Sequence, residues 1–565
     1  MRYFIFKKNV SISFCGNRNI LTVLFLAILQ LSFSNISAQN IANANRSIAE
    51  NVDILSLKHE VFKADILINS SINETLLKEN FNVIEKAKYY ELDLEKIGLL
   101  ISNKPAIIEL SIMTSDGLLH QLTMARYEIL SDSYESFKGG RLAKESFEHD
   151  PGLHYRGIVK NEKDAWASFS IFNNGIQGIV ASHTGNWVFA ALKSTKNDQY
   201  IYYNDKDLKI EQEFQCLSPD SYPLSDIDPS DDEPSFKNSD KSSTDLCPID
   251  VYWVLDYDFY VHSNQNILLA AYNILGYFNN VAAIYQAEDI NVLLSEIFIY
   301  TTIDPYAWSD DWSNWLSFGA YIDTASNFDE DLAMLISLQF GGGSGVGVID
   351  ALCSTYDPSE WQEAGRHAVS TIDPFYDSVP TFSRSIYIIS HEMGHNMGSR
   401  HTHWCGWVGG AIDDCAGFTE PIYDTSASCP LGPPPFNGGT IMSYCDRSVY
   451  GVVFVNGFGA QPGDEIRKDA LKAKECACHP ISVQESEYLP PELIIWPNPA
   501  TSILHFSTGD LNIENVEFSI YDFFGRMIYN GPVIESMDIS SYSSGIYMVK
   551  LTGNELLINQ KFIVK

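Results

Sequence analysis

The chain has 565 residues and a net charge of −35, so it exceeds one typical domain, and three or four units are expected. That charge argues against a nucleic-acid partner, because phosphate backbones attract clustered Lys and Arg. An apolar share of 45% is that of globular protein, so each unit can bury a core.

In chain order, Lys7, Lys8 and Arg18 precede an apolar run from Ile20 to Phe33, and small residues follow at Ser37 and Ala38. The run is too short to span a bilayer comfortably. It predicts a signal peptide over residues 1–38, cut after Ala38, and an exported chain with no permanent membrane span. Residues 39–216 alternate apolar and polar in "AWASFSIFNNGIQGIVAS" and "NWVFAALK", which predicts a β-rich region. Residues 217–246, rich in Ser, Asp and Pro, read as an acidic linker open to proteolysis.

A further domain spans 247–483. "IDVYWVLDYDFYV" and "INVLLSEIFIYTT" read as strands, "NQNILLAAYNILGYFNNVAAIYQAE" as a long helix, "DEDLAMLISLQF" as a second helix and "VGVI" as a short strand. Strands alternating with helices predict an α/β core. In 484–565, about seven short strands separated by turn residues predict a small β-sandwich.

The stretch "IISHEMGHNMGSRHTHWC", residues 388–405, carries the chemistry. On a helix capped by Ser383, with Ile386, Ile389 and Met393 toward the core, His391 and His395 share one face. Gly398 suits a sharp turn with positive φ, after which His401 can swing back as a third ligand. Three neutral imidazoles leave an open position on zinc, as catalytic sites do. Zinc there would acidify water and polarise a scissile carbonyl. Glu392 would take the proton and pass it to the leaving amine. The five-residue H-E-x-x-H core alone is weak evidence, and Gly398 and His401 at fixed offsets make it specific.

The extended pattern resembles the metzincin zinc metalloproteases. With "TIMSYC" and "DLAMLISLQFGGGSGVGVIDALC", residues 247–480 are similar to the adamalysin/reprolysin branch and its bacterial relatives. The resemblance implies that His391, His395 and His401 bind one catalytic zinc, Glu392 is the base and Met442 forms an apolar floor. It also implies that the edge strand Gly345, Val346, Gly347 and Val348, within Gly345–Ile349, pairs with extended protein or peptide substrates. Structural calcium is a further expectation from relatives, with no ligands assigned. Two features depart from the animal branch: Thr402 stands where many adamalysins have Asp, and Tyr444 lies two residues after Met442. Tyr444 is weighed as an oxyanion donor or metal contact against plain packing. His403 matches no motif offset and reads as a surface or supporting residue.

Ten cysteines less Cys15 leave nine, and eight of those lie between 247 and 478, where they can pair completely. The expected arrangement joins Cys405 to Cys445, Cys415 to Cys429, and Cys353 to the Cys476/Cys478 end, although spacing alone leaves connectivity open. In an exported chain disulfides outweigh a second zinc site at "ECACHP". Cys216 is left over. Secreted metzincins often keep a propeptide thiolate on the open zinc position, so Cys216 is a candidate cysteine switch. "EFQCLSPD" does not match the usual switch motif, and an unrelated free thiol is the alternative. "GGGSGVG" lacks a P-loop lysine, and Trp308, Trp312 and Trp315 read as packing before a sugar platform.

The tail resembles the C-terminal sorting domain of the type IX (Por) secretion system of Gram-negative bacteria, through Pro497-Asn498-Pro499-Ala500, Tyr521-Asp522 with Gly525-Arg526, and Gly545-Ile546-Tyr547. It implies the secretion machinery as partner and an extracellular or cell-surface destination. The expected whole is multidomain: β-rich propeptide, α/β metzincin (zincin-like) catalytic domain and small C-terminal β-sandwich. Its expected function is that of a secreted zinc endopeptidase made as a latent precursor. A non-catalytic adhesin on the same fold and a narrow processing peptidase are the competing readings.

Overall fold

The computed structural model describes residues 47–70, 82–140, 143–193, 199–210, 214–218, 220, 248–306, 310–325, 328–339, 343–354, 365–422, 426–472, 494–497, 500–507, 516–522, 526–534, 536–552 and 557–565. The expected signal peptide, most of the acidic linker, and Cys247, Cys476 and Cys478 lie outside them. The chain divides into two units, Met1–Cys478 and His479–Lys565.

In the first unit, residues 62–204 supply a ten-stranded sheet that is antiparallel except where Phe62–Lys63 lies parallel to Ile107–Met113. The quoted alternating stretches form three of its adjacent strands, Trp166–Phe172, Gly175–Ser182 and Gly185–Ala191. This sheet packs on the helix Ile267–Ala287. Asn279 of that helix donates to the Phe169 carbonyl at 3.1 Å, and Tyr272 stacks on Phe172 with centroids 4.9 Å apart. Buried Arg156 reaches from the sheet to Asn279 and Gln286, each at 3.0 Å. The helix is long and apolar enough to cross a membrane, yet 72% of its apolar window is buried inside the protein. One hydrophobic cluster joins Trp166, Ile179 and Val188 of this sheet with Trp253, Ile274 and Ile389 of the later region.

The second sheet has eight strands, in the order Gln215–Cys216, Ser344–Gly347, His367–Thr371, Leu332–Ser337, Ile249–Leu255, Val292–Tyr300, Leu130–Gly140 and Ala143–Ser146. Its central pairings, from His367–Thr371 through Leu130–Gly140, are parallel. Three expectations shift. "DEDLAMLISLQF" forms the strand Leu332–Ser337, buried at every position, and not a helix. A central parallel strand is covered on both faces, so its apolar run cannot be told from a buried helix by periodicity. The helix lies earlier, at Asp311–Ala325. Leu130–Gly140, assigned to the N-terminal region, pairs with Val292–Tyr300, and Ala143–Ser146 pairs with Leu130–Gly140, so both complete the later sheet. Leu217, Ser218 and Asp220, assigned to the linker, are ordered against the body, with Ser218 and Asp220 buried.

Among its described residues the second unit holds seven strands, in a three-stranded and a four-stranded sheet. Leu504, Phe506, Phe518, Ile520, Val549 and Phe562 form its core, as two sheets sharing one apolar interior require.

Candidate active site

The helix Phe382–Asn396 starts after Thr381, two residues before the expected cap at Ser383. It is almost wholly buried, with Ile386, Ile389 and Met393 in the core and His391, Glu392 and His395 at 0% exposure. It ends at Asn396, and Gly398 adopts φ +89°, which L side chains rarely tolerate. That turn brings His401 back beside the other two histidines.

His391 Nδ1 lies 2.7 Å from the Ile441 carbonyl, and His395 Nδ1 lies 2.8 Å from the Ser399 carbonyl. His401 Nδ1 lies 3.0 Å from the Asp220 carboxylate. These oxygens only accept, so each ring carries its hydrogen on Nδ1 and an open lone pair on Nε2. Yet His395 Nε2 sits 3.2 Å from both His391 Nε2 and His401 Nε2. Three buried lone pairs facing one another repel unless a cation lies between them. Nitrogens each about 2.0–2.1 Å from a shared tetrahedral zinc stand roughly 3.3 Å apart, so the donor set fits that ion. Burial and mutual repulsion hold the His391 pKa well below the usual imidazole value. Burial, and then His401, hold that of His395 near 3, so these two rings stay neutral.

Met442 is buried beneath the helix at Gly394, where an added Cβ would meet the Met442 sulfur at 2.8 Å. The edge strand Ser344–Gly347 lies over Glu392, and it ends at Gly347, so Val348 falls just outside it. A Cβ on Gly345 would stand 2.3 Å from Glu392 Oε1, and one on Gly347 would stand 2.5 Å from the Glu392 backbone oxygen. Gly345 and Gly347 therefore permit close approach of strand and helix.

The edge is covered by residues 214–218. Gln215–Cys216 pairs parallel with Ser344–Gly345. Cys216 Sγ lies 3.4 Å from His395 Nε2 and 3.7 Å from Glu392 Oε2, and it joins His391, His395 and His401 in one potential metal-binding cluster. Burial, reinforced by Glu392, pushes the thiol pKa well up in the metal-free cluster. A coordinating metal inverts that logic and deprotonates a thiol outright. Burial also pushes Glu392 well above the usual carboxylate range, and its Oε1 has no partner among the described residues. Phe214 fills a box of Tyr387, His391 and Tyr444, with centroids 5.1, 4.9 and 6.1 Å away. Its N–H donates to Asp446, and Arg447 donates to its carbonyl.

Tyr444 is 6% exposed and packs on His401 and His403, each at 4.9 Å, while its hydroxyl donates to the Cys216 carbonyl at 3.3 Å. It is both packed and aimed at a carbonyl in the cleft. His403 is fully buried, stacked on His401, with Nε2 3.3 Å from Glu420 Oε1, so the surface reading is replaced by the supporting one.

Among the described residues, disulfides join Cys405 to Cys429 and Cys415 to Cys445, which corrects the expected Cys405–Cys445 and Cys415–Cys429. Pairing depends on how the 405–445 loop folds, which spacing does not encode. Cys353 is disulfide-bonded, and the Cys476/Cys478 end lies outside the described residues. Trp315 is fully buried and stacked on His367, and Trp312 packs on Trp315, so these two belong to packing and not to a sugar platform. Trp308 lies outside the described residues. Among the described residues no three carboxylates gather without His or Cys, so calcium gains no support. Sequence reasoning missed Asp220, Phe214, Glu420 and Gly394; the nearest signal was Asp220, four residues after the unpaired cysteine.

Residues 247–450 match the model for metallo-peptidase family M12, and residues 494–565 match that for the secretion system C-terminal sorting domain. A zinc metalloproteinase-disintegrin-like protein, BfMP, of Bungarus fasciatus is 23% identical over 264 residues, covering 44% of this chain and 40% of that protein. A kaouthiagin-like protein of Naja atra with the same description is 22% identical over 264 residues, covering 44% and 41%. The chain thus spans about two fifths of the length of these relatives. An endo-acting ulvan lyase of Formosa agariphila is 31% identical over 97 residues, covering 16% of this chain and 18% of that protein. The crystal structure of metalloproteinase-II from Bacteroides fragilis aligns over 60% of this chain and 88% of that one, at 12% identity and a TM-score of 0.32. The chain therefore carries a metallopeptidase domain of family M12 followed by a secretion system C-terminal sorting domain.

Proposed function

We propose that the chain is a secreted zinc-dependent endopeptidase made as a latent precursor. The observation that carries this reading is the meeting of three buried Nε2 lone pairs beside a carboxylate and under a sheet edge. Zinc held by His391, His395 and His401 supplies Lewis acidity for a peptide carbonyl and a more acidic water. Glu392 takes up the proton and delivers it to the departing amine, as a buried carboxylate next to the first ligand can. The edge at Ser344–Gly347 presents main-chain groups to an extended substrate. Tyr444, whose hydroxyl already donates to a carbonyl in the cleft, is assigned to the developing oxyanion. Latency rests on residues 214–218, which occupy the substrate's edge and bring Cys216 within 3.4 Å of a ligand nitrogen. The sorting domain supports export through the type IX machinery to the cell surface or beyond.

The test is hydrolysis of a mixed peptide library by the proteolytically matured protein, beside Glu392→Ala and a chelated sample. Loss of cleavage in both supports the reading. A folded, zinc-loaded, matured wild type that cuts nothing would replace it with the adhesin reading.

A further inference from the structure

The three histidines are supported unequally. His391 and His395 lean their outer nitrogens on carbonyls of their own domain, Ile441 and Ser399. His401 leans on Asp220, which enters with the covering segment from the far side of the linker. Asp220 is 1% exposed and grips twice, accepting from His401 Nδ1 at 3.0 Å and from the His401 backbone N–H at 3.1 Å. Its own N–H donates to Glu420 Oε2 at 3.0 Å, and its carbonyl accepts from Arg400 Nε at 3.3 Å. Between the two grips, Ser218 Oγ accepts from the Gly347 N–H at 2.8 Å. The segment is thus fixed at both ends of the cluster, by sulfur on the inner side and by a carboxylate on the outer side.

We propose that Asp220 is a second anchor of the covering segment and a positioning residue for His401, so that maturation removes support from the metal as well as the lid from the cleft. This rests on the metal-site and Cys216 reading above. A carboxylate on the outer nitrogen fixes the tautomer and ring orientation and raises ligand basicity, and loss of such partners typically lowers metal affinity about 10–100-fold. In a water-excluded setting that bond is stronger than an exposed one. The precursor therefore holds its metal through Cys216, the three rings and the Asp220 support. The matured protein keeps the rings and loses both contributions from the segment.

The experiment uses the full-length, zinc-loaded precursor. Zinc release to a chromophoric chelator is compared for wild type, Asp220→Ala, Asp220→Asn and Cys216→Ser, with far-ultraviolet circular dichroism as the fold control. Asp220→Ala is expected to speed release about 10–100-fold. Asp220→Asn, which keeps an acceptor of the same shape without the charge and covers the case in which Ala unfolds, is expected to fall between. In the cobalt-substituted precursor, a thiolate-to-cobalt charge-transfer band reports Cys216 separately. Absence of that band in the wild type would sink the Cys216 reading. A normal band with unchanged release in both Asp220 variants would overturn the Asp220 proposal alone.

Discussion

The two glycines of the edge strand face the same glutamate and should fail in different ways. At Gly347 an added methyl would sit 2.5 Å from the Glu392 backbone oxygen and 3.3 Å from His395 Cβ. Neither atom can move without shifting the metal-site helix, so Gly347→Ala is an overpacking change costing about 1–3 kcal/mol. At Gly345 the methyl would meet Glu392 Oε1 at 2.3 Å and its Cδ and Cγ at 2.5 Å, all atoms of a side chain and none of the backbone. Gly345→Ala should then cost less stability than Gly347→Ala, because a side chain can shift where a helix backbone cannot. It should still misplace the general base, and a displacement of about 1 Å at a reacting centre costs on the order of a hundredfold in rate. The assay pairs thermal melting of each precursor with peptide hydrolysis after maturation. Gly347→Ala should lower Tm by a few degrees, on the order expected for that energy, whereas Gly345→Ala should melt above Gly347→Ala and turn over slowly. A wild-type rate in Gly345→Ala, or a wild-type Tm in Gly347→Ala, would refute the steric reasoning.

Cys216→Ser should give premature activity or a self-degraded precursor, visible as fragments during expression that Glu392→Ala suppresses. A cut within 221–246 alone should leave the halves co-eluting and inactive, because Trp166 and Ile179 share a core with Ile274 and Ile389; separation in native gel filtration would count against this. Asp256, buried and pushed up to about 7 mainly by burial, caps the helix Tyr257–His262. Its folded pKa exceeds its unfolded one, so the native state binds more protons between about pH 4 and 7, and its ionisation costs stability as pH rises through that window. Asp256→Asn should flatten the fall of Tm across pH 4–8 by the equivalent of a few kcal/mol, and an unchanged slope would exclude Asp256 as its source.

The histidine cluster was legible because its geometry is local: four-residue helical spacing and a glycine turn bring His391, His395 and His401 together within eleven positions. The seven strands of the tail were legible for the same reason, as alternation broken by turn residues. What depended on distant partners was not. Leu332–Ser337 is a strand because neighbours on both sides and both faces cover it, and its own six residues carry no mark of that. The disulfide pairing, the grip of Asp220 on His401 across 181 positions, and the addition of 130–146 to the later sheet are all settled by tertiary folding.

That last addition has a consequence for where the peptidase body begins. The family match opens at residue 247, yet Val292–Tyr300 hydrogen-bonds along one side to Leu130–Gly140. A fragment beginning at 247 would bare that side as a nine-residue strand with Ile297, Phe298 and Ile299 in its second half. Long, apolar, unpaired edges recruit strands from other molecules and seed aggregation. The segment that covers the active site thus belongs to a region that also keeps the opposite edge of the sheet from sticking to its neighbours.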